Sequence, residues 1–587
     1  MANWFTADFE TTTDEKDCRV WAWSTVNIFS PDDTFVYGTE LLDLFTYMFS
    51  YNKSIWYFRN LKFDGEFILS YLFKQGYEYH EGRKLPPKTF NTLISDKGQF
   101  YCIRISNSEG TNTIEIRDSL KIVTLSIAET AKAFGLKETK LKIDYHKYRP
   151  PGYELTDEEI EYIKNDVVID AKSLIYFFNQ GLTKMTKGSD ALYFFKQFIF
   201  GGDKKFRKKF PKIDTDVDEY LRKAYKGGFV YVNKKYEDTW VGKGCVADAN
   251  SLFPHQMRNK KLPYGQPKYF TGKYKKNSLY DLYVAHIQCM FKIKENKLPT
   301  IQIKHTLAFQ ENLYLESSNL EVVDLWLTSW DLDLFFEHYD VDSNSLTYVD
   351  GYMFKSMVHK ELVEYVDYWG DVKIKADREG NKGLRTLAKF MLNCLYGKFG
   401  LSILTASKIP YYDYDTGIVK YRLGEKEERE GVYLPLALFV TAGGRQDTIT
   451  AAQKIKETTI KEYGEDLYYY SDTDSIHMGL TDIEALRKII DIDDYKIGAW
   501  KIESYFNRAK FIRQKCYLEI DDKLHPTVAG LPKQMHDMVT EDNFKKGTTY
   551  KRLEKECDKD KGQGTKKRFK HVPGGVVLVD THFTIKG

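Results

Sequence analysis

The chain has 587 residues, 87 Lys and Arg against 84 Asp and Glu, and a formal charge of only +3. A hydrophobic content of 42% with 29% charged residues excludes a disordered polyelectrolyte, and no run of 18 apolar residues suggests a membrane span. At about 150 residues per domain, the length predicts roughly four compact units.

Aromatic residues are abundant: 43 Tyr, 37 Phe and 9 Trp. Such rings suit large cores and also surfaces that stack bases or sugars. The seven cysteines are odd in number and form no C-x-x-C pair. Neither a disulfide framework nor a zinc module is expected, and a reducing compartment is. The start lacks a basic segment followed by an apolar run, so a cytoplasmic protein without a signal peptide is expected.

In chain order, Trp4-Phe5-Thr6-Ala7-Asp8-Phe9-Glu10 alternates as a strand, with Phe5, Ala7 and Phe9 on one face and Thr6, Asp8 and Glu10 on the other. Two acids on one strand face repel each other unless a cation lies between them; alone, this pattern is most often a solvent face. Ile55 to Phe58 reads as a second strand. Asp64 follows at the start of a helix through Phe67, Ile68 and Leu72, either as an N-cap or as a site residue. Pro150-Pro151-Gly152 and Gly201-Gly202 read as breaks. Thr156-Asp157-Glu158-Glu159 is a capping box opening a helix with Ile160, Ile163, Val167, Ala171 and Leu174 as its apolar stripe. Tyr162 and Asp166, four apart, flank that stripe. Four acids from three elements could hold two divalent cations, one activating a water and the other steadying the leaving oxygen of a phosphodiester, with Tyr162 orienting the water.

Lys204, Lys205, Arg207, Lys208, Lys209 and Lys212 interleave with Phe206 and Phe210, a pattern suited to nucleic acid. Tyr225-Lys226-Gly227-Gly228 precedes a strand-like run, Phe229 to Val232. Cys245 to Asp248 is a short apolar strand that turns into a helix after Ser251-Leu252-Phe253-Pro254. An acid at a strand end beside free amides can cap a turn, or can hold Mg²⁺ and a triphosphate. His305 to Phe354 contains ten acidic residues (Glu311, Glu316, Glu321, Asp324, Asp331, Asp333, Glu337, Asp340, Asp342 and Asp350) and no Lys or Arg.

Leu384 to Gly397 reads as a helix whose buried face is Leu384, Leu387, Ala388, Met391, Leu392 and Leu395. Arg385, Lys389, Asn393 and Tyr396 form a separate stripe, either a solvent face or a grip for phosphates and a base. Tyr468 to His477 reads as strand, tight turn, strand, with Asp472 and Asp474 facing the same way. Tyr-x-Asp-Thr-Asp-Ser is the most specific pattern in the chain. Lys515-Cys516-Tyr517 alone reads as surface strand. Lys545 to Val572 has eleven Lys and Arg against four acids, and its stretch Lys559 to Lys567 reads as a mobile loop. No internal repeat occurs, and the mixture of elements predicts α/β and α+β units.

Together these motifs resemble the protein-primed branch of the family B DNA polymerases, carried by small phages. Asp8-Phe9-Glu10, Asn60 to Asp64 and Tyr162 to Asp166 look like the three motifs of its DEDDy-type 3′→5′ exonuclease. Asp248 to Pro254, Lys389 to Gly397 and Tyr470 to Ser475 look like polymerase motifs A, B and C. Lys515-x-Tyr517 looks like the primer-terminus motif, Tyr225-x-Gly227-Gly228 like the linker between the activities, and Val572 to Asp580 like the end of the thumb.

The resemblance implies a ribonuclease H-like exonuclease domain followed by a right-hand polymerase domain with two insertions. The expected segments are exonuclease 1–187, palm 188–258 and 429–529, a priming-protein docking insertion 259–357, fingers 358–400, a processivity and strand-displacement insertion 401–428, and thumb 530–587. It implies two Mg²⁺ ions per active site, replaceable by Mn²⁺. In the polymerase site these are bridged by Asp248 and Asp474 with Asp472 in support; in the exonuclease site they are held by Asp8, Glu10, Asp64 and Asp166. It places Phe253, Arg385, Lys389, Asn393 and Tyr396 around the incoming dNTP. It also places Thr11, Asn60, Phe63, Ser119, Leu120, Lys140 and Tyr145 near single-stranded DNA, and Tyr225, Gly227, Gly228, Lys515 and Tyr517 near the primer-template. Expected partners are DNA, dNTPs, a terminal priming protein docked on the acidic block, and a single-stranded-DNA-binding protein. A monomer in the host cytoplasm, without membrane contact, is expected. Phe253 stands where the family has Tyr, Cys394 where Ser is common, and Arg59 where His is frequent. Two other readings stay open: a nuclease whose C-terminal region only grips substrate, and a non-catalytic DNA-binding or replication scaffold.

Overall fold

The computed structural model describes residues 3–303, 313–558 and 562–586. Glu311 of the acidic block and residues 559–561 of the basic stretch lie outside these.

The N-terminal unit is built on an eight-stranded mixed sheet. The strand Trp4–Thr11 lies in it between Val20–Asn27, antiparallel, and Ile55–Phe58, parallel, and Ile55–Phe58 pairs in parallel with Thr113–Asp118. Both faces of Trp4–Thr11 are covered. Phe5, Ala7 and Phe9 enter one apolar core, while Thr6 and Glu10 are buried on the other face. The helix Asp157–Phe178 crosses that second face, opened by the expected capping box of Thr156 and Glu159. Thr6 Oγ1 donates to the Val167 carbonyl at 2.9 Å and Ser24 Oγ to that of Ile163 at 3.0 Å, which fixes the helix over the strands.

A second sheet has five antiparallel strands in the order Trp500–Phe506, Gly244–Ala249, Ser475–Met478, Tyr468–Asp472, Val230–Val232. The helix Leu252–Asn259 follows after Asn250 and the N-cap Ser251. A four-stranded sheet made by Leu262–Thr271, Thr347–Met357, Leu282–Cys289 and Val323–Thr328 occupies the stretch read as the first insertion. Next come two helices, Lys360–Arg378 and Lys382–Phe399, turned back on each other at Gly380, whose φ of +68° suits glycine. The hairpin Leu404–Asp413/Ile418–Glu428 and the 30-residue helix Leu434–Tyr463 complete this region. The final strands include the hairpin Lys566–Val572/Gly575–Thr581. Among the described residues no helix is long and apolar enough to cross a membrane, and all seven cysteines are free thiols.

The largest core is shared between units. Val167, Leu174 and Phe177 of the N-terminal unit join Leu387, Met391 and Leu395 of the second helix of the pair and Leu436 to Val440 of the long helix.

Three expectations are corrected. Phe206 and Phe210 are fully buried. They are four apart on one side of the short helix Asp203–Lys209 and its end, so they anchor it to the core and do not stack on a ligand. The acidic block is not uncompensated: cations distant in sequence reach it, with Arg445 on Asp331 at 2.7 Å, Lys234 on Glu316 at 2.9 Å and Lys297 on Glu337 at 3.0 Å. Lys566 and Lys567 open a strand and are not loop residues.

Candidate active sites

Two carboxylate centres are present. In the first, Asp8 and Glu10 project from the same strand face towards Asp166 on the crossing helix, and oxygens of all three lie within 4.8 Å of one another. Asp64, also buried, lies in the first turn of the helix Leu61–Lys74. It is not the N-cap; that position is Asn60, in the left-handed region at φ +65°. Asp118 holds Asn60 there by accepting its amide at 3.0 Å, and accepts the Leu120 amide as well.

These acids crowd each other out of water. Burial and then the Asp166 charge push the Asp8 carboxyl up to about 7. Burial and then Asp8 push Glu10 and Asp64 well above the usual carboxylate range. Asp166 Oδ1 is buried without a hydrogen-bond partner. A cationic ligand would satisfy that oxygen and offset the repulsion, so the donor set fits divalent metal. Lys140 Nζ donates to Asp166 at 2.6 Å and to the Tyr162 hydroxyl at 3.1 Å, and Tyr145 and Tyr162 share a hydrogen bond at 2.7 Å.

The cavity above this centre has a volume of about 960 Å³, and Thr11, Asn60, Phe63, Lys140 and Tyr145 line it with the acids. Its far wall comes from the C-terminal hairpin, through Lys567, Phe569 and Val577. Ser119 does not reach it. Its side chain is fully buried and donates to Asp170 at 2.6 Å, and Leu120 is half-buried outside the cavity lining. Arg59 turns its guanidinium inward, onto the Val123 carbonyl at 2.7 Å, Thr130 Oγ1 at 2.8 Å and the Asp170 carboxylate at 3.2 Å.

The second centre lies on the five-stranded sheet. Asp248 pairs directly with Ser475 across the strands, and the Ala249 amide donates to the Asp474 carbonyl at 2.7 Å. Asp472 and Asp474 flank Thr473, itself left-handed at φ +66°. Gly228 permits this turn, because a Cβ there would come within 2.5 Å of Thr473 Cγ2. Arg445 donates to the carbonyls of Lys226 and Gly227 and pairs with Asp331, so it locks the linker against the acidic insertion. Burial, then Asp474 and Glu503, push the Asp248 carboxyl up to about 7, with Lys389 and Lys501 pulling the other way. The Asp474 carboxyl is raised as well, mainly by burial. Asp472 is tied down by Lys515 Nζ at 2.5 Å and by the Tyr470 hydroxyl at 3.2 Å. Tyr517 packs its ring on Tyr470 and His477.

On the helix Lys382–Phe399, Arg385, Lys389 and Asn393 are exposed in one stripe, and Arg385 also pairs with Asp377 at 2.8 Å. Tyr396 meets the Phe253 ring at 4.5 Å between centroids. Tyr225 lies close under Gly400, one turn beyond Tyr396. Two residues in this centre were not singled out from the sequence. Glu503 is the extra residue of a β-bulge opposite Val246 and Ala247, and it acts on both aspartates. Lys373 lies beside Arg385 and Lys389, and burial and those two cations lower its pKa. Its place four residues after buried Trp369 was the available sign.

Two separate carboxylate centres, one on the eight-stranded mixed sheet and one on the five-stranded antiparallel sheet, have the donor sets of metal-dependent phosphoryl-transfer enzymes. The chain belongs to the family of type B DNA polymerases, organellar and viral, whose profile matches residues 46–150 and 139–485. It is 40% identical over 605 residues to the DNA polymerase of Bacillus phage phi29, covering 99% of each chain, and 32% identical to that of Streptococcus phage Cp-1, covering 100% of this chain and 99% of the other. Solved structures of phi29 DNA polymerase match it over 100% of both chains at 39% identity. The complex with primer-template DNA and the ternary complex with incoming nucleotides both give a TM-score of 0.88.

Proposed function

We propose that this polymerase extends a DNA 3′ end at Asp248 and Asp474 and removes mispaired 3′ nucleotides at Asp8, Glu10, Asp64 and Asp166. The observation that carries the reading is the pair of separate carboxylate centres: Asp8, Glu10 and Asp166 with oxygens within 4.8 Å of one another, and Asp248 on the strand paired with the Asp472–Asp474 turn, each holding an acid raised first by desolvation and then by a neighbouring carboxylate. Mg²⁺, held by these carboxylates, would supply activation of the attacking oxygen and charge neutralisation at phosphorus. The chain's own groups do the rest. Lys389, Arg385 and Lys373 present positive charge to a triphosphate. Phe253 and Tyr396 form the apolar wall against which the sugar and base would rest. Lys515 holds Asp472 and leaves Asp474 as the acid of the turn with no ion pair among the described residues. In the other centre Lys140 fixes the Tyr162 hydroxyl towards Asp166, where it can orient a water.

Initiation on a terminal protein, strand displacement by the hairpin Leu404–Glu428, cooperation with a single-stranded-DNA-binding protein and a monomeric state in the host cytoplasm complete the proposal. They are supported by the full-length likeness to the phage enzymes. The test uses a primed template with Mg²⁺, with and without dNTPs. Asp8→Ala with Glu10→Ala should abolish degradation and keep extension; loss of both together would overturn the division of labour.

A further inference from the structure

The basic helix Asp203–Lys209 is unused by either centre. Buried Phe206 and Phe210 hold it to the core, and Gly201 and Gly202, at φ +69° and +120°, set it off from the preceding turn. Arg207 is spent internally: it bonds to the Val432 and Gly431 carbonyls and to Glu430 at 2.6 Å. That clamp fastens the helix to the root of the hairpin Leu404–Glu428. The remaining cations face outward. Lys205, Lys208 and Lys209 line a groove of about 590 Å³ with Lys360, from the start of the helix Lys360–Arg378. Only Lys209 is neutralised there, by Glu361 at 2.6 Å. Lys205, Lys208 and Lys360 are exposed and have no ion pair within 4 Å among the described residues, leaving Glu364 as the one unpaired acid of the lining. Phe198, 60% exposed, immediately precedes Ile199 and Phe200 of the groove lining, and one side of its ring rests on Phe194 at 5.0 Å between centroids.

We propose that this groove holds the phosphates of single-stranded DNA passing the root of the hairpin, with Phe198 offered to a base. Mobile lysine point charges without a free arginine suit a sequence-blind grip on a backbone, and an exposed ring beside a cationic groove is the usual platform for unpaired bases. An acidic protein segment would find the same charges, but the exposed ring favours DNA. The proposal extends the polymerase reading and is separable from it, because both active centres lie elsewhere.

The test is binding of a fluorescent oligothymidylate to the full-length protein across a salt series. It compares wild type, Lys205→Ala/Lys208→Ala/Lys360→Ala, Phe198→Ala, and a control triple of equal charge, Lys454→Ala/Lys461→Ala/Lys488→Ala. At about 0.7 per phosphate contact for single strands, the groove triple should flatten the log affinity against log salt slope by about 2. Phe198→Ala should weaken binding without changing the slope, and the control triple should change neither. An unchanged slope in the groove triple, or equal flattening in the control, would overturn the proposal. Synthesis then identifies the strand. Slowing only through duplex marks the displaced strand, and slowing on a long single-stranded template marks the template ahead of the site. Extension by one nucleotide on a minimal primer-template should stay at the wild-type rate in every variant. Its loss in the groove triple would mean that the lysines act on the fold or the active centre, and would also overturn the proposal.

Discussion

The Ala249 amide donates to the Asp474 carbonyl at 2.7 Å, so the strand carrying Asp248 and the turn carrying Asp474 are joined by a backbone bond at the point where their side chains must converge. The backbone bond survives side-chain replacement. Asp474→Ala should therefore keep the fold and the melting temperature while extension falls by about 10³-fold or more, equivalent to about 4 kcal/mol of barrier. Degradation of single-stranded DNA by the same variant should be unchanged in a gel assay.

Phe253 lies against Tyr396, and Gly444 leaves room for its ring, since a Cβ there would come within 2.9 Å of it. On the proposed reading its bulk would block a ribose 2′-hydroxyl without needing a hydroxyl of its own. Phe253→Val should lose roughly 100-fold of its discrimination against ribonucleotides, measured as the ratio of kcat/KM for dNTP and rNTP. Retained discrimination would show that the ring is not the barrier.

Arg59 and Asp170 form a largely buried pair, and Asp170 also accepts from Ser119. Removing one partner strands the other charge in the core. Arg59→Met should cost about 3–5 kcal/mol in urea unfolding, and the combination with Asp170→Leu should recover much of that loss. Simple additivity of the two substitutions would count against this coupling.

Asp8 has a folded pKa of about 7 against a usual value of 3.8. Between those values the metal-free folded state binds more protons than the unfolded state. Its stability contribution is therefore largest below about pH 4 and declines as pH rises through 7. The melting temperature of metal-free protein should show that decline, and Asp8→Asn should flatten it. Added Mg²⁺ should act in the opposite sense, stabilising more as pH rises, because the carboxylates must shed protons to bind it.

Within the acidic insertion, Glu321 and Asp340 are exposed, whereas Asp331 is committed to Arg445. Glu321→Lys with Asp340→Lys should weaken initiation on a basic terminal protein and spare extension of a DNA primer. Asp331→Asn should impair both, because it releases Arg445 from the Lys226-Gly227 linker.

The turn at Asp472 to Asp474 was legible because short polar residues at fixed spacing sit between strand-forming runs, from Tyr470 to Ser475. The helix of Arg385, Lys389 and Asn393 was legible because its polar stripe is distinct from its apolar face. Asp64 was ambiguous, since an acid in a first helical turn looks the same whether it faces solvent or Asp8. Glu503 was hidden, because a one-residue bulge leaves no mark on strand alternation. The acidic block looked unpaired because Arg445 lies 114 positions from Asp331. Phe206 and Phe210 were misread because aromatic residues spaced among lysines fit a core anchor as well as a stacking surface.

The hairpin Lys566–Thr581 closes against the helix Leu61–Lys74 and the loop at Cys18. Cys18 Sγ reaches the Val576 carbonyl, 558 positions away, Phe569 meets Phe63 at 5.9 Å, and His571 meets buried Glu66 at 3.2 Å. On the ribosome, the N-terminal sheet emerges on the order of a minute before this wall exists. Until then Phe63, Phe67 and the acid-lined floor stand open to solvent. Joining them closes a loop of most of the polypeptide, a late and entropically slow event. A nascent chain should therefore have a folded but unroofed N-terminal half for most of its synthesis, and would depend on chaperones to keep that surface from sticking elsewhere.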